Sequence, residues 1–315
     1  DYVEKLNNTI GRKCNLVFDE NNRLEKEVSW DVAATSQQAF EDVFFEVAMP
    51  YIDKYKDLPI IITGGCGLNI LLATKIKEKF PNRPSFVAPN TNDCGIALGL
   101  LAGFNKPKEP IDITYGGTEL MDKNCYPAWI ESNVAKPVNF EDIVNYLCEG
   151  KIFGVARGRC EHGPRALGNR SIICNPAFPE MKDILNHKVK HREWYRPFAP
   201  VVRLEDVSKY FEWEGETRHM LYCPRVRKEW QKELSSITHV DGTARVQTIT
   251  REQNEWLYDL LTVFEAKAGH GVLLNTSFNI AGKPILNTIA DAMKVLETSQ
   301  MDFIIIEDFY YGKYW

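Results

Sequence analysis

Histidine is missing from the first half of this 315-residue chain; the six present stand at 162, 187, 191, 219, 239 and 270. A site built on imidazole ligands has nothing to draw on before that point. Long apolar runs are missing too. None approaches the roughly eighteen residues that span a bilayer, so no membrane partner is expected. No signal peptide leads the chain, which opens on Asp1 and reads as part of a longer protein. The eight cysteines, at 14, 66, 94, 125, 148, 160, 174 and 223, include no C-x-x-C pair. That argues against a zinc ribbon and for a reducing, cytoplasmic setting. Internal repeats and low-complexity tracts are absent as well.

What is there is a globular composition, 44% hydrophobic and 26% charged, with a formal net charge of -5. A molecule of that sign is no general polyanion binder, and nucleic acid is not an expected partner. The charge is uneven, however. Between Lys151 and Arg203 there are eleven Lys/Arg against four Asp/Glu, a local basic basin suited to a nucleotide or phosphate. Inside it, the stretch Gly158-Arg159-Cys160-Glu161-His162-Gly163-Pro164-Arg165-Ala166-Leu167-Gly168-Asn169-Arg170-Ser171 follows an apolar run, Ile152 to Ala156, that reads as a buried strand. Glycines let a backbone approach its ligand closely, and guanidiniums fork onto phosphate or carboxylate oxygens. A polyphosphate suits this turn. A Gly-rich turn with solvated arginines is the other reading.

Residues 31–56 carry Ala, Phe and Val at helical spacing and predict a long amphipathic helix. Pro59 to Thr63 predicts a short strand closed by Gly64-Gly65, residues 66–80 a helix, and Phe86-Val87 a second strand. Asp93-Cys94-Gly95 then opens a helix to about Gly103. This order is an α/β pattern. Residues 104–138, rich in Pro, Gly and Lys, read as a linker. Beyond it the pattern predicts a helix over 140–149 capped by Asn139, a strand over 152–157, and a helix from Pro179 to about Lys190. A strand (271–274), a helix (288–299) and a strand (303–306) complete a second α/β domain.

Four residues of that domain share one theme. Arg165 follows Pro164, which suits a first helical turn and would set the guanidinium near a helix N-terminus. Arg196 lies in the stiff segment Trp194-Tyr195-Arg196-Pro197-Phe198-Ala199-Pro200, and Arg245 in Thr243-Ala244-Arg245-Val246-Gln247. Asn275 follows Val272-Leu273-Leu274 at an expected strand end, where open α/β sheets bind ligands. Taken singly, each arginine also reads as a solvated surface residue, and Asn275 as a turn cap. His162 reads as a phosphate contact or a turn cap, and Lys188, Lys190, His191 and Arg192 as a solvated basic face. Cys160 and Cys174 read as small buried apolar residues.

These four stretches, in this order, closely resemble the C-terminal domain of the O-carbamoyltransferases that modify nodulation factors and antibiotics, a domain similar to the YrdC/Sua5 fold. Upstream, Thr63-Gly64-Gly65-Cys66-Gly67-Leu68-Asn69 and Asp93-Cys94-Gly95-Ile96-Ala97-Leu98-Gly99 resemble the family's other domain, of the actin/sugar-kinase-like (ASKHA) fold. The resemblance covers nearly the whole chain. It implies residues 1–123 as the C-terminal part of the actin-like carbamoyl-transfer domain and 124–315 as a YrdC-like, carbamoyl-adenylate-forming domain.

It also implies two reactions. Carbamoyl phosphate yields carbamate, which attacks the α-phosphate of ATP to give carbamoyl-adenylate and pyrophosphate. The carbamoyl group then passes to a hydroxyl of a small-molecule or sugar acceptor. By motif match Arg165, Arg196, Arg245 and Asn275 would hold carbamoyl phosphate and ATP with Mg. Gly64, Gly65 and Asn69 would contact the adenylate, or else form a plain strand-to-helix turn. Asp93 would match a carboxylate ligand of the family's Fe(II), or else a helix cap. The family's metal histidines come from a segment upstream of this chain, so the implied metal site is incomplete here. The competing readings are a threonylcarbamoyl-adenylate synthase acting in tRNA modification, and a non-catalytic nucleotide-binding module.

Overall fold

The computed structural model describes residues 26–313, so Cys14 lies outside the described residues. Contacts divide the chain into two units, Asp1–Ile60 and Ile61–Trp315. In the first, α1 (Lys26–Lys54) is the long helix expected near 31–56, with Pro50 tolerated close to its end. Side-chain pairs one turn apart support it, Gln37 donating to Glu41 at 2.6 Å and Gln38 to Asp42 at 2.7 Å.

At the boundary, β1 (Ile60–Ile62) pairs with β2 (Ser85–Val87) in a two-stranded sheet. Between them Gly65–Leu68 forms a 3₁₀ turn and Ile70–Lys79 forms α2. The Asn69 side chain caps α2 by accepting the Leu72 N–H at 3.0 Å. A second 3₁₀ turn, Asp93–Gly95, runs into α3 (Ile96–Asn105). The expected strand–helix–strand–helix order is therefore present.

The expected linker is only partly one. Its second half folds as a 3₁₀ turn, Lys123–Cys125, then α4 (Tyr126–Asn133) and β3 (Lys136–Pro137). Eight residues are too few to show a helical period in sequence. Tertiary contact fixes α4 instead: Trp129 is buried and its Nε1–H donates to the Met293 sulfur at 3.2 Å.

The rest of the chain supplies α5 (Phe140–Cys148), β4 (Phe153–Ala156), β5 (Arg170–Cys174), α6 (Met181–Ile184), β6 (Ala199–Arg203), α7 (Val207–Tyr210), β7 (Gln247–Ile249), α8 (Glu255–Ala268), β8 (Val272–Ser277), α9 (Ile289–Thr298), β9 (Phe303–Ile306) and β10 (Phe309–Gly312). One mixed eight-stranded sheet runs in the order β3-β10-β9-β4-β5-β8-β6-β7. Strands β4 and β9 are parallel, as are β6 and β7, while β5 and β8 run antiparallel to their neighbours. Period-two alternation assigns the strand residues to two cores. Phe303, Ile305 and Leu273 join the α5 and α8 side chains, whereas Ile304, Ile306, Val272 and Leu274 join those of α9. Burial on both faces accounts for the continuous apolar run Phe303 to Ile306.

Three elements depart from expectation. The helix from Pro179 is only α6 followed by a π-turn, Leu185–Val189. Strand β8 continues past residue 274 to Ser277, so Asn275 lies within the strand. Strand β6 contains Pro200, a residue that argues against a strand assignment from sequence. Among the described residues no helix is long and apolar enough to cross a membrane.

Candidate active site

The loop from β4 to β5, residues 157–169, carries Arg165, and two buried ionic side chains hold it. Glu161 Oε1 accepts the N–H groups of Leu167 (2.7 Å), Asn169 (2.8 Å) and Arg170 (3.2 Å). Arg170, fully buried where the loop ends, donates to the carbonyls of Arg157 (2.7 Å), Asn169 (2.9 Å) and Gly158 (3.0 Å). Acid and base thus satisfy opposite halves of the same backbone. Gly163 has φ 127°, and a Cβ there would lie 2.6 Å from the Pro89 carbonyl oxygen. Residues 112–121 strap the loop from outside. The His162 N–H reaches the Thr114 carbonyl at 2.9 Å, the Cys160 N–H reaches that of Thr118 at 2.9 Å, and the Tyr115 hydroxyl donates to Leu167 O at 3.0 Å. The expectation that Pro164 opens a helix is not met: this segment is irregular, because Gly163 turns and Glu161 ties its backbone N–H groups. Arg165 therefore owes nothing to a helix dipole.

Arg165, Arg196, Arg245 and Asn275 line one chamber of about 240 Å³, together with Arg192, Pro164, Ala166, Pro197, Met220, Thr276 and Ser277. Among the described residues no Asp or Glu lines its wall. A second cavity of about 370 Å³ shares Arg192, Arg196 and Ser277 with it and extends to Lys190 and Asn279. All four residues nominated from sequence are thus brought together, across 110 residues of chain. Arg165 and Arg245 make no side-chain hydrogen bond or ion pair among the described residues, and their Nε atoms are buried without partners. Arg196 pairs with Glu193 at 2.8 Å on the exposed rim.

Arg192 was expected on a solvated face and instead enters the chamber wall. Its Nε donates to Asn186 Oδ1 at 2.7 Å, and its guanidinium stacks 4.5 Å from the Phe198 ring centroid. Asn186 also donates to the carbonyls of Trp194 (3.1 Å) and Arg196 (3.0 Å), which stiffens the segment bearing Arg196. Lys190 corrects the same expectation: it is 3% exposed and donates to Ser277 O (2.6 Å), Ser277 Oγ (3.1 Å), Asn279 O (2.8 Å) and Asn279 Oδ1. Lys188 and His191 are exposed, as that reading requires. The signal available in sequence was Asn186 and Phe198 flanking Arg192, which no spacing rule marks.

Crowding sets the electrostatics. Burial, then the charges of Arg165 and Arg192, pull the Arg245 guanidinium down to about 9. Burial, then Arg196, pulls Arg192 down to about 10. Burial also lowers Arg165, and burial with the charge of Arg192 lowers Lys190 to about 7. Cations pressed together without acids are built to be relieved by an anion, through charge-assisted hydrogen bonds.

Residues 144–313 match the family model described as carbamoyltransferase C-terminus, and residues 3–101 the one described as carbamoyltransferase N-terminus. The chain belongs to the O-carbamoyltransferase family. The chain is similar to nodulation protein NolO of Bradyrhizobium diazoefficiens, 32% identical over 320 residues that cover 96% of this chain and 57% of that protein. It is also similar to 3'-hydroxymethylcephem-O-carbamoyltransferase of Streptomyces clavuligerus, 37% identical over 295 residues that cover 92% and 55% respectively. The chain spans about half the length of the curated relatives it matches. A crystal structure of full-length HypF in its phosphate- and nucleotide-bound form aligns with 52% of this chain and 21% of that one, at 18% identity and a TM-score of 0.36.

The remaining nominated residues are not among those lining the arginine chamber. Gly64 and Gly65 are exposed ahead of α2, and Asn69 Oδ1 is engaged by the α2 cap. Asp93 is exposed at the start of its 3₁₀ turn, and Gly95, not Asp93, occupies the cap position of α3. Among the described residues no three His, Cys, Asp or Glu side chains converge as a metal site requires. These residues do not fit the family's iron. His162 is not among the chamber-lining residues. Cys174 is fully buried, and burial pushes its thiol up, whereas Cys160 is only half-buried.

Proposed function

We propose that this chain acts in ATP-dependent O-carbamoyl transfer, with the arginine chamber as the site of carbamoyl activation. Water cleaves carbamoyl phosphate to carbamate and inorganic phosphate; a carbamate oxygen attacks the α-phosphorus of ATP, the bond to the pyrophosphate oxygen breaks, and carbamoyl-adenylate and pyrophosphate form. The carbamoyl carbon then passes to a hydroxyl of a small-molecule or sugar acceptor, with AMP leaving. The observation that carries this reading is the convergence of Arg165, Arg196, Arg245 and Asn275 on one acid-free chamber.

The chemistry suits that arrangement. An anionic carbamate approaching a triphosphate meets like-charge repulsion, and pre-placed guanidiniums offset it without reorganising. Arg165 and Arg245, free of protein partners, would bind phosphoryl oxygens, and Arg192 and Arg196 at the junction of the two cavities would bridge the reacting groups. Magnesium would enter with the triphosphate as part of the substrate. We assign residues 124–315 to a YrdC-like activation domain and 1–123 to part of an actin-like transfer domain. The gap between the two family matches, residues 102–143, supports a boundary there. The carbamoyltransferase named for Streptomyces clavuligerus supports a hydroxymethyl-type acceptor.

The test is to incubate the chain with ATP, magnesium and carbamoyl phosphate and follow pyrophosphate release and carbamoyl-adenylate by mass spectrometry. Carbamoyl-phosphate-dependent adenylate, lost in Arg245→Ala, is the expected result. Adenylate formed from threonine and bicarbonate instead would replace this reading with threonylcarbamoyl-adenylate synthesis.

A further inference from the structure

One residue of the chamber wall, Asn275, brings an amide rather than a cation, and its polarity is dictated from behind by Gln247. The Leu167 carbonyl can only accept, so Gln247 must turn Nε2 toward it, at 2.8 Å. Gln247 Oε1 then faces Asn275, whose Nδ2 donates to it at 2.7 Å and to the Ala166 carbonyl at 3.2 Å. Both amide hydrogens of Asn275 are used on the protein. Its Oδ1 is left buried, an acceptor with no partner among the described residues. Gln247 and Asn275 are each 1% exposed, so neither amide turns over by exchanging its bonds with bulk water. The two carbonyls that set this polarity, Ala166 and Leu167, belong to the loop that carries Arg165.

The guanidiniums around this acceptor are donors, and a phosphate group satisfies them. Ionised phosphoryl oxygens cannot satisfy Asn275 Oδ1, which asks for an N–H or O–H on the ligand. We propose that Gln247 is a positioning residue: by fixing which end of the Asn275 amide faces the chamber, it selects a carbamoyl NH₂ over an acyl methyl of the same shape. This rests on the carbamoyl-phosphate reading above and names how that site discriminates. A site built around a buried acceptor rejects the analogue lacking the N–H, because the acceptor is then desolvated and unpaired. Nothing in the sequence marks Gln247 for this role, since it stands two residues past Arg245 inside a short strand.

The test is equilibrium binding of freshly prepared carbamoyl phosphate, acetyl phosphate and inorganic phosphate to the full chain, for wild type, Gln247→Met and Gln247→Glu. The wild type should hold carbamoyl phosphate about tenfold or more tighter than acetyl phosphate. Gln247→Met should bring that ratio close to one and leave the affinity for inorganic phosphate within about threefold, since the arginines are untouched. At pH 6 or below, Gln247→Glu should keep most of the preference, because a protonated carboxyl again donates to Leu167 and accepts from Asn275. A wild-type ratio near one overturns the proposal, and so does a Gln247→Met variant that keeps the wild-type ratio. If Gln247→Met does not fold, a Gln247→Glu variant without preference at low pH overturns it equally. Failure of the wild type to bind any of the three ligands would instead remove the carbamoyl-phosphate reading, whereas equal binding of both acyl phosphates leaves that reading standing.

Discussion

Lys190 Nζ donates to the Ser277 carbonyl oxygen at 2.6 Å, fastening the end of the π-turn to the last residue of β8. The same ammonium reaches Asn279 O at 2.8 Å, so one buried charge organises the wall between the two cavities. Lys190→Met should leave these oxygens without a donor and destabilise the fold by about 2–3 kcal/mol. Urea denaturation checks the stability, and calorimetry with inorganic phosphate should show weaker binding to the folded fraction.

On the proposed reading, Arg245 contributes to binding at the expense of the empty fold. Its guanidinium is crowded by Arg165 and Arg192 and has no hydrogen-bond partner among the described residues. Arg245→Met should therefore raise the melting temperature of the ligand-free protein while weakening phosphate binding roughly ten- to a hundredfold. Melting curves with and without phosphate measure both effects on one sample. A variant that melts lower and binds as wild type would count against the assignment.

The pH dependence follows from the depressed guanidiniums. Arg245, at about 9, and Arg192, at about 10, are charged below those values and lose their protons above them. Phosphate affinity should fall as pH rises through this window. The stability of the free protein moves the other way. Between the folded values and the ordinary arginine range the unfolded chain binds more protons, so these two groups add stability as pH rises. The shift in melting temperature caused by phosphate should accordingly shrink between pH 8 and pH 10.5.

Glu161 offers a test of the loop rather than of the ligand. Glu161→Ala strands the N–H groups of Leu167, Asn169 and Arg170 that share its Oε1, and should cost about 3 kcal/mol or more. Glu161→Gln keeps an acceptor oxygen in the same place and should cost about 1 kcal/mol, with phosphate binding largely retained. Chemical denaturation of the pair separates the carbonyl-type acceptor from the charge.

Much of the frame was legible in the chain. The strand–helix–strand–helix run over 60–105, the Asn139 cap and the strand at 303–306 each carry a local signal: a period, a capping side chain, a continuous apolar run. Helix α4 and strand β6 carry none, being too short or interrupted by Pro200, and they form because the sheet and the core complete them. At the site, Arg165, Arg196, Arg245 and Asn275 stood out by residue type and motif. Arg192, Lys190 and Gln247 did not, because their importance lies in what they touch.

Local chemistry in the sequence was enough to say that a basic, glycine-bearing turn follows a buried strand, and that the chain is an α/β protein. Propensity, periodicity and charge act over a few residues and are written in order along the chain. Three further matters depended on contacts between segments distant in the sequence, 28 positions apart for Gln247 and Asn275 and 87 for Lys190 and Ser277. These are the merging of four arginines into one acid-free chamber, the burial of Lys190 among carbonyl oxygens, and the orientation of the Asn275 amide through Gln247. The energies involved are desolvation and mutual repulsion, which exist only once the sheet has brought β5, β6, β7 and β8 side by side.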